Sequence, residues 1–483
     1  MKPDSQGLAP SPHFVAQALG LQLPGAQDEK PFALITSDSR KVVAGCLFVA
    51  IPGEKFDGHD FIAEAASKGA RGVICRRGTS APPSLRAFAV DDTITAYRRL
   101  AQAWRKRFAI SVVAVAGSVG KTTTKELLAA ILEGKWPGQV LKTQGSQNGF
   151  VGIPMTLLEL RSIHQAAVIE VGIDEIGAME KHIPLVHPSA AVITAIGPEH
   201  LEKLLDVPTV AREEGLALSL TVRTGGIAAI CLDDPWIKPY ATILRTGRRI
   251  GYTLRGEKVN LGPRPAPPLE LLDGVLSDAG AEFKLTLRGL GLDGLELLSP
   301  LPGEHNAANL MAAVAVAAGL GLTRDEIKRG LALFKGAEGR SELRKTSNGT
   351  PVVCDYYNAN PTSVEAALAL LTRVAAAGLD RKRWACLGDM LELGPDEETF
   401  HRALARPLLK HGVEHILLYG SRMKWLEAEL IAQKFTGTLA WFESHAELAR
   451  ALKSGLAAPT PAAVLIKGSR GTRMEEVWKL LAS

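Results

Sequence analysis

The chain has 483 residues, of which 46% are hydrophobic and 22% charged, with a formal net charge of +5. That length exceeds one ordinary core and predicts about three domains. The slight charge and the lack of a basic tract interleaved with aromatics exclude a nucleic-acid footprint, and no apolar run approaches the ~20 residues of a membrane span.

Five scattered cysteines (Cys46, Cys75, Cys231, Cys354 and Cys386) show neither CxxC nor metal spacing. They read as small buried hydrophobes in a reduced compartment. The opening "MKPDSQGLAPSPHFVAQALG" lacks a basic-then-apolar signal pattern, so a cytoplasmic protein is expected.

Residues 1–106 mix short β-like runs ("CLFVAIPG", "GVICRR", "AFAV") with helical stretches and end in the basic helix "AYRRLAQAWRKRF". That charge run reads as a solvated helix face or a linker. Residues 107–334 begin with a strand and a glycine loop and alternate through "AAVIEVG", "AAVITAIG" and "GGIAAICLDD" to the helix "NLMAAVAVAAGLGL". Strands that are apolar along their whole length belong to a parallel sheet covered on both faces. The Pro-rich "GPRPAPPLE" reads as a surface loop of this block. Residues 335–483 repeat the alternation with "PVVCDYY", "RWACLGDM", "HILLYG" and "AAVLIKG". The fold class is therefore α/β in three domains: a small mixed N-terminal domain, a central P-loop ATPase-like parallel sheet, and a Rossmann-like doubly wound C-terminal sheet. The absence of GxGxxG argues against a dinucleotide cofactor.

The most informative stretch is "SVVAVAGSVGKTTTKELL". Gly117, Ser118, Val119, Gly120, Lys121, Thr122 and Thr123 form a shortened Walker-type loop, with Val115 where the first glycine is usual. Such a loop turns backbone N–H groups toward phosphate oxygens, brings Lys121 to the β/γ-phosphates and offers Thr122 to Mg²⁺. Glu170 ends the strand "AAVIE" and His200 lies just beyond "AAVITAIG". Polar residues at neighbouring strand ends are candidate metal ligands, with a structural turn or cap as the alternative for each.

Several stretches together resemble the Mur ligases, most closely the MurF type. They are "DSRKVVAGCLFVAIPGEKFDGHDFI", "AGSVGKTTTKE", "LPGEHNAANLMAA", "DYYNANPTSVEAAL", "LGDMLELG" and "IKGSRGTRMEEV", in family order across all three blocks. The resemblance implies an ATP- and Mg²⁺-dependent ligase, with two ions. It would phosphorylate the carboxylate of a UDP-muramyl tripeptide and pass the acyl group to D-Ala-D-Ala in peptidoglycan precursor synthesis. Its partners would be these small molecules, and the protein a monomer.

By the same resemblance Lys121, Glu170 and His200 are catalytic, and Thr122, Glu170, His200 and Glu214 hold metal. Asn306 and Asp355 would contact the adenine-ribose end of ATP, beside Asn358 and Asn360, and Arg340 would reach the phosphates on domain closure. Ser39 and Arg40 would lie near the uridine-diphosphate end of the substrate, with Asn148 and Arg470 as further substrate contacts.

The chain also departs from the pattern it resembles. Glu214 stands where the family carries a carbamylated lysine, and its carboxylate stops roughly 3–4 Å short of that group. Glu213 is a neighbouring candidate, and a solvated acidic helix face is the alternative for both. Ser146 and Gly149 replace asparagines, Ala178 a glutamate, and "TAIGPEHLE" carries Ala195 and Glu199 where asparagine and alanine are usual. These changes leave open a Mur-like ligase for another nucleotide-linked acid and amine, or a nucleotide-binding regulator that makes no bond.

Overall fold

Three sheets follow one another along the chain in the computed structural model, which describes residues 10–22, 30–53, 56–255, 268–279, 282–377, 381–458 and 460–482. Four short parallel strands between Ile35 and Val90 form the first sheet. The helix Thr93–Arg105 follows it in the chain and packs on the second domain.

The second sheet has nine strands, and the P-loop strand Ser111–Ala116 lies inside it. On one side it pairs in parallel with Ala166–Glu170, on the other with Ala190–Ile193. All residues of Ala166–Glu170 and of Ala190–Ile193 are buried, as expected of strands covered by helices on both faces. Because the chain crosses from one flank of the P-loop strand to the other, a crevice opens at the carboxyl ends of these strands, where ligands of open α/β sheets bind.

Beyond Arg248–Thr253 the sheet continues into Glu270–Ala279, Glu282–Arg288 and Glu296–Leu298, the last two antiparallel to their neighbours. The parallel centre matches the expectation, and this antiparallel extension adds to it. Residues 262–267 of the expected Pro-rich loop lie outside the described residues, and Glu270 already belongs to a strand.

The third sheet has six strands, five of them parallel, with Glu342–Lys345 antiparallel at one edge. Helix Pro361–Ala376 covers one face and helices His445–Leu456 and Glu475–Ala482 the other, each face with its own apolar cluster. That is the doubly wound arrangement. All five cysteines are buried and unbridged. Among the described residues no helix is long and apolar enough to cross a membrane.

One expectation is corrected. The basic helix is neither a solvated face nor a linker, because Arg105 is buried and donates to the carbonyls of Val186, His187 and Phe108. Arg98 likewise donates to the Lys181 carbonyl. Arg105 thus closes the carboxyl end of the neighbouring helix Ala178–Val186, Arg98 grips its middle, and both lock the first sheet's helix onto the second domain.

Candidate active site

The loop between Ala116 and Lys121 bends through two left-handed glycines, Gly117 at φ 116° and Gly120 at φ 93°. A Cβ on Gly117 would come within 2.5 Å of Thr194 Oγ1, and one on Gly120 within 2.3 Å of Asn309 Oδ1. Glycine is therefore required at both positions for space as well as for backbone conformation. Helix Lys121–Glu133 starts directly after the bend, so its unpaired N–H groups and positive dipole end face the crevice.

Lys121 bonds to the Gly117 carbonyl and to Glu199 Oε2, the latter at 3.0 Å. Burial works against its charge, but Glu199 and then Glu214 outweigh that effect and hold its pKa above the usual lysine value. Glu214 is fully buried, and its Oε2 accepts the Gly117 N–H at 2.8 Å. Burial first, and the nearby Glu199 second, push its pKa up to about 8. Glu213 is also buried and accepts the Gly177 N–H at 2.9 Å. The solvated acidic face considered for this pair is thus ruled out: both carboxylates point inward, to different loops.

Glu170 is buried at its strand end, where Asn148 Nδ2 donates to its Oε1 at 2.9 Å and Lys125 Nζ lies 3.5 Å from its Oε2. Lys125, fully buried one helical turn after Lys121, also donates to the Gly145 carbonyl at 2.8 Å. His200 adopts a left-handed backbone at φ 47°, and so does Glu392 at φ 64°. Their side chains meet with His200 Nδ1 2.7 Å from Glu392 Oε2. The hydrogen bond to Glu392 raises the pKa of His200 against the opposing pull of burial. The Leu201 N–H also donates to the Glu392 carbonyl at 3.1 Å, so the "LGDMLELG" loop of the last domain docks on the segment after His200.

Other residues of the last domain complete the crevice. Arg340 Nη2 donates to Thr122 Oγ1 at 3.3 Å, and the Tyr357 hydroxyl donates to Ser146 Oγ at 2.6 Å. Thr122, Lys125, Gly145, Arg340, Tyr357 and Arg470 line a cavity of about 450 Å³ between the two domains. Asp355 accepts the Ser341 N–H at 2.9 Å and pairs with the buried Lys467 at 2.5 Å. Lys467 also donates to the Asn358 carbonyl at 2.9 Å. Burial lowers the pKa of Lys467 despite that partner.

The expected site residues are thus brought together unevenly. Gly117 to Thr123, Glu214, Arg340 and Arg470 surround the loop and its cavity, and Asn148 orients Glu170. Asn306 turns inward, donating to the Pro302 carbonyl and accepting from Asn309. Asn360 is a helix cap, its oxygen taken by the Ser363 N–H. Ser39 and Arg40 form a turn of the first domain in which Arg40 pairs with Asp38 and is 86% exposed.

Oxygen donors suit a hard cation such as Mg²⁺, and Glu170 Oε2 and Glu214 Oε1 are buried acceptors without a hydrogen-bond partner. The chain's donors therefore fit the ion. Among the described residues, however, no three His, Cys, Asp or Glu side chains gather into a metal cage. Glu170, His200 and Glu214 consequently do not act as one cluster, and phosphate oxygens and water must complete any coordination.

Sequence reasoning missed Lys125, Tyr357 and Lys467. Lys125 stands four residues after Lys121, on the same helix face, which was a usable signal. Tyr357 and Lys467 lie inside quoted motifs, but only the tertiary fold shows what they touch.

Placement of a P-loop at the switch point of one sheet, with a second α/β domain reaching an arginine onto its threonine, marks a nucleotide-dependent enzyme with a crevice between two domains. Comparison with known proteins narrows this further. The family description "Mur ligase middle domain" matches residues 115–317, "Mur ligase, glutamate ligase domain" matches 339–470, and "Mur ligase family, catalytic domain" matches 31–104. The UDP-N-acetylmuramoyl-tripeptide–D-alanyl-D-alanine ligase of Bacillus subtilis (strain 168) is 31% identical over 446 residues, with 92% of each chain covered. Its namesake from Escherichia coli (strain K12) is 33% identical over 448 residues, with 92% of this chain and 93% of that one covered. A crystal structure of MurF from Acinetobacter baumannii superposes with a TM-score of 0.83 at 28% identity over 99% of both chains. MurF from Thermotoga maritima in complex with ADP gives 0.76 at 26% identity, over 93% of this chain and 97% of that one. The chain belongs to the Mur ligase family.

Proposed function

We propose that this chain is an ATP-dependent amide ligase that joins D-alanyl-D-alanine to a UDP-N-acetylmuramoyl tripeptide in peptidoglycan precursor synthesis. The observation that carries the reading is the cavity shared by Thr122 and Lys125 of the P-loop helix and Arg340, Tyr357 and Arg470 of the last domain. A carboxylate is a poor electrophile, so its oxygen first attacks the γ-phosphorus, giving an acyl phosphate and ADP. The amine of the dipeptide then attacks the acyl carbon, loses a proton and expels phosphate. Both steps demand that donor and acceptor meet within one water-poor site, which a crevice between two domains provides.

Lys121, the loop N–H groups and Arg340 are suited to hold the phosphates and the charge that builds on them during transfer. Thr122, Glu170, His200 and Glu214 are the residues we assign to Mg²⁺, two ions being expected; when bound, the ion neutralises phosphate charge. Asn306, Asp355, Asn358 and Asn360 are assigned to the neighbourhood of the adenosine end, Ser39 and Arg40 to the uridine-diphosphate end, and Asn148 and Arg470 to the peptide end. Domain limits at 1–106, 107–334 and 335–483 divide this labour, and we take the enzyme to act as a cytoplasmic monomer.

The test is ADP and phosphate release with ATP, Mg²⁺, UDP-muramyl tripeptide and D-Ala-D-Ala, omitting each in turn. Turnover only with all four present is expected. ATP hydrolysis that needs neither organic substrate would overturn the reading.

A further inference from the structure

Glu199 was not among the expected site residues, yet it sits at the centre of the P-loop. Its Oε2 accepts from Lys121 Nζ at 3.0 Å, while Glu214 Oε2 accepts from the Gly117 N–H at 2.8 Å. The second oxygens, Glu199 Oε1 and Glu214 Oε1, are buried with no donor from the rest of the protein, and the two carboxyl groups lie within hydrogen-bond reach of each other. Glu214 is 0% exposed and Glu199 10%. A carboxylate oxygen stripped of water and given no donor is costly unless something occupies it.

The charges point the same way. Two carboxylates share one ammonium, Lys121. When phosphates enter the loop they claim that lysine, and two carboxylates are left beside a polyanion. A cation set between the two groups relieves that repulsion and also balances the phosphate charge beside them.

Both glutamates also occupy positions where the chain departs from the pattern it resembles. Glu214 alone stops roughly 3–4 Å short of the longer group it replaces, and Glu199, arriving from the segment after the adjacent strand, brings a second carboxylate to the same loop.

We propose that Glu199 and Glu214 act as a carboxylate pair that binds one divalent cation beside the transferred phosphate, without any ligand made from carbon dioxide. Two carboxylates completed by phosphate oxygens and water are an ordinary Mg²⁺ set, in keeping with the lack of a third acidic or imidazole ligand among the described residues there. Glu199 pairs with Lys121, and once phosphates claim that lysine both Glu199 oxygens would be available to the cation. The proposal rests on the ligase reading only for the presence of a nucleotide phosphate.

The test is a Mn²⁺ titration of the full chain saturated with ADP, followed through the electron paramagnetic resonance of the free ion. Even residues that merely support metal ligands are worth about 10–100-fold in affinity. Glu199→Gln and Glu214→Gln are therefore each expected to weaken Mn²⁺ binding by at least about tenfold. The exposed neighbour Glu202→Gln should leave it unchanged. Glu199→Ala, which restores the usual family residue, is a second variant and must show the same loss. Wild-type affinity in either Glu199 variant, or an equal loss in Glu202→Gln, overturns the proposal. Neither organic substrate is present, so failure here is distinct from failure of the ligase reading, which the omission assay tests.

Discussion

Arg340 bridges two domains: its Nη2 donates to Thr122 Oγ1 at 3.3 Å while its guanidinium lies 4.2 Å over the Tyr357 ring. Its Nε is buried and has no partner. The group is thus held in place by the ring and the threonine, with donors to spare for phosphate oxygens. Arg340→Ala is expected to lower kcat by about 10²-fold or more, the usual cost of losing one donor to developing charge, with little change in Tm. Arg340→Lys should recover little, because an ammonium offers neither the planar stack nor the forked donors. Steady-state ADP release measures both, and a kcat near wild type in the alanine variant would remove Arg340 from the phosphate site.

The Tyr357 hydroxyl reaches Ser146 Oγ at 2.6 Å, a second link between the same two domains. Ser146 is one of the departures from the family pattern, and here its hydroxyl receives the tyrosine. A neutral hydrogen bond is worth about 0.5–1.5 kcal/mol net. Tyr357→Phe should therefore weaken ADP binding by roughly twofold to tenfold if closure and nucleotide binding are coupled. Isothermal titration checks this, and unchanged affinity would show that the link does not support the closed arrangement.

Much of this architecture was legible because burial on both faces writes long apolar runs. Ala166–Glu170 and Ala462–Lys467 are buried along their whole length, and both were read as strands. In the antiparallel pair, Glu270–Ala279 is mostly exposed or half-exposed, Glu282–Arg288 alternates buried with half-exposed positions, and both carry charges. The pair lacks the apolar run, and was missed. The site followed the same division. Local backbone chemistry at Gly117–Lys121 is written in the sequence, since only glycines permit the bend. The contacts of Arg105 with Val186, of Lys125 with Gly145 and of Tyr357 with Ser146 span 20 to 211 positions, and no local pattern encodes them. Spacing brought Glu214 to the site, but only packing revealed that Glu199 meets it there.

His182 gives a pH dependence away from the phosphate site. It is fully buried, its Nδ1 lies 3.3 Å from Arg98 Nη1, and its ring meets Phe150 at 4.7 Å. Burial, then Arg98 and Lys181, push its pKa down to about 3 from an unfolded value of 6.5. Between these values the unfolded chain takes up a proton that the native chain refuses. Stability contributed by this group is therefore full above pH 6.5 and falls as the pH drops toward 3, by at most about 1.4 kcal/mol per pH unit. His182→Asn is expected to lower Tm at pH 7.5 but to flatten the decline between about pH 6.5 and 4. Parallel acid limbs in urea-melt stability for wild type and variant would count against this account.

Gly120 tests whether the loop's shape, rather than its charge, sets nucleotide affinity. A Cβ there would lie 2.3 Å from Asn309 Oδ1, and the residue holds φ 93°. Asn309 is itself tied down, its Oδ1 accepting from Thr124 and its Nδ2 donating to Asn306 Oδ1, both at 3.3 Å. Gly120→Ala therefore meets two penalties, a clash with an anchored side chain and a left-handed backbone costing roughly 1–2 kcal/mol for an L-residue. ADP affinity should fall at least about tenfold, the equivalent of 1.4 kcal/mol. Adding Asn309→Ala relieves the clash but not the backbone strain, so the double variant should recover part of the affinity and no more. Full recovery would make sterics the whole cause. No recovery would assign the loss to the left-handed turn alone, the conformation that turns the loop's N–H groups toward the phosphates.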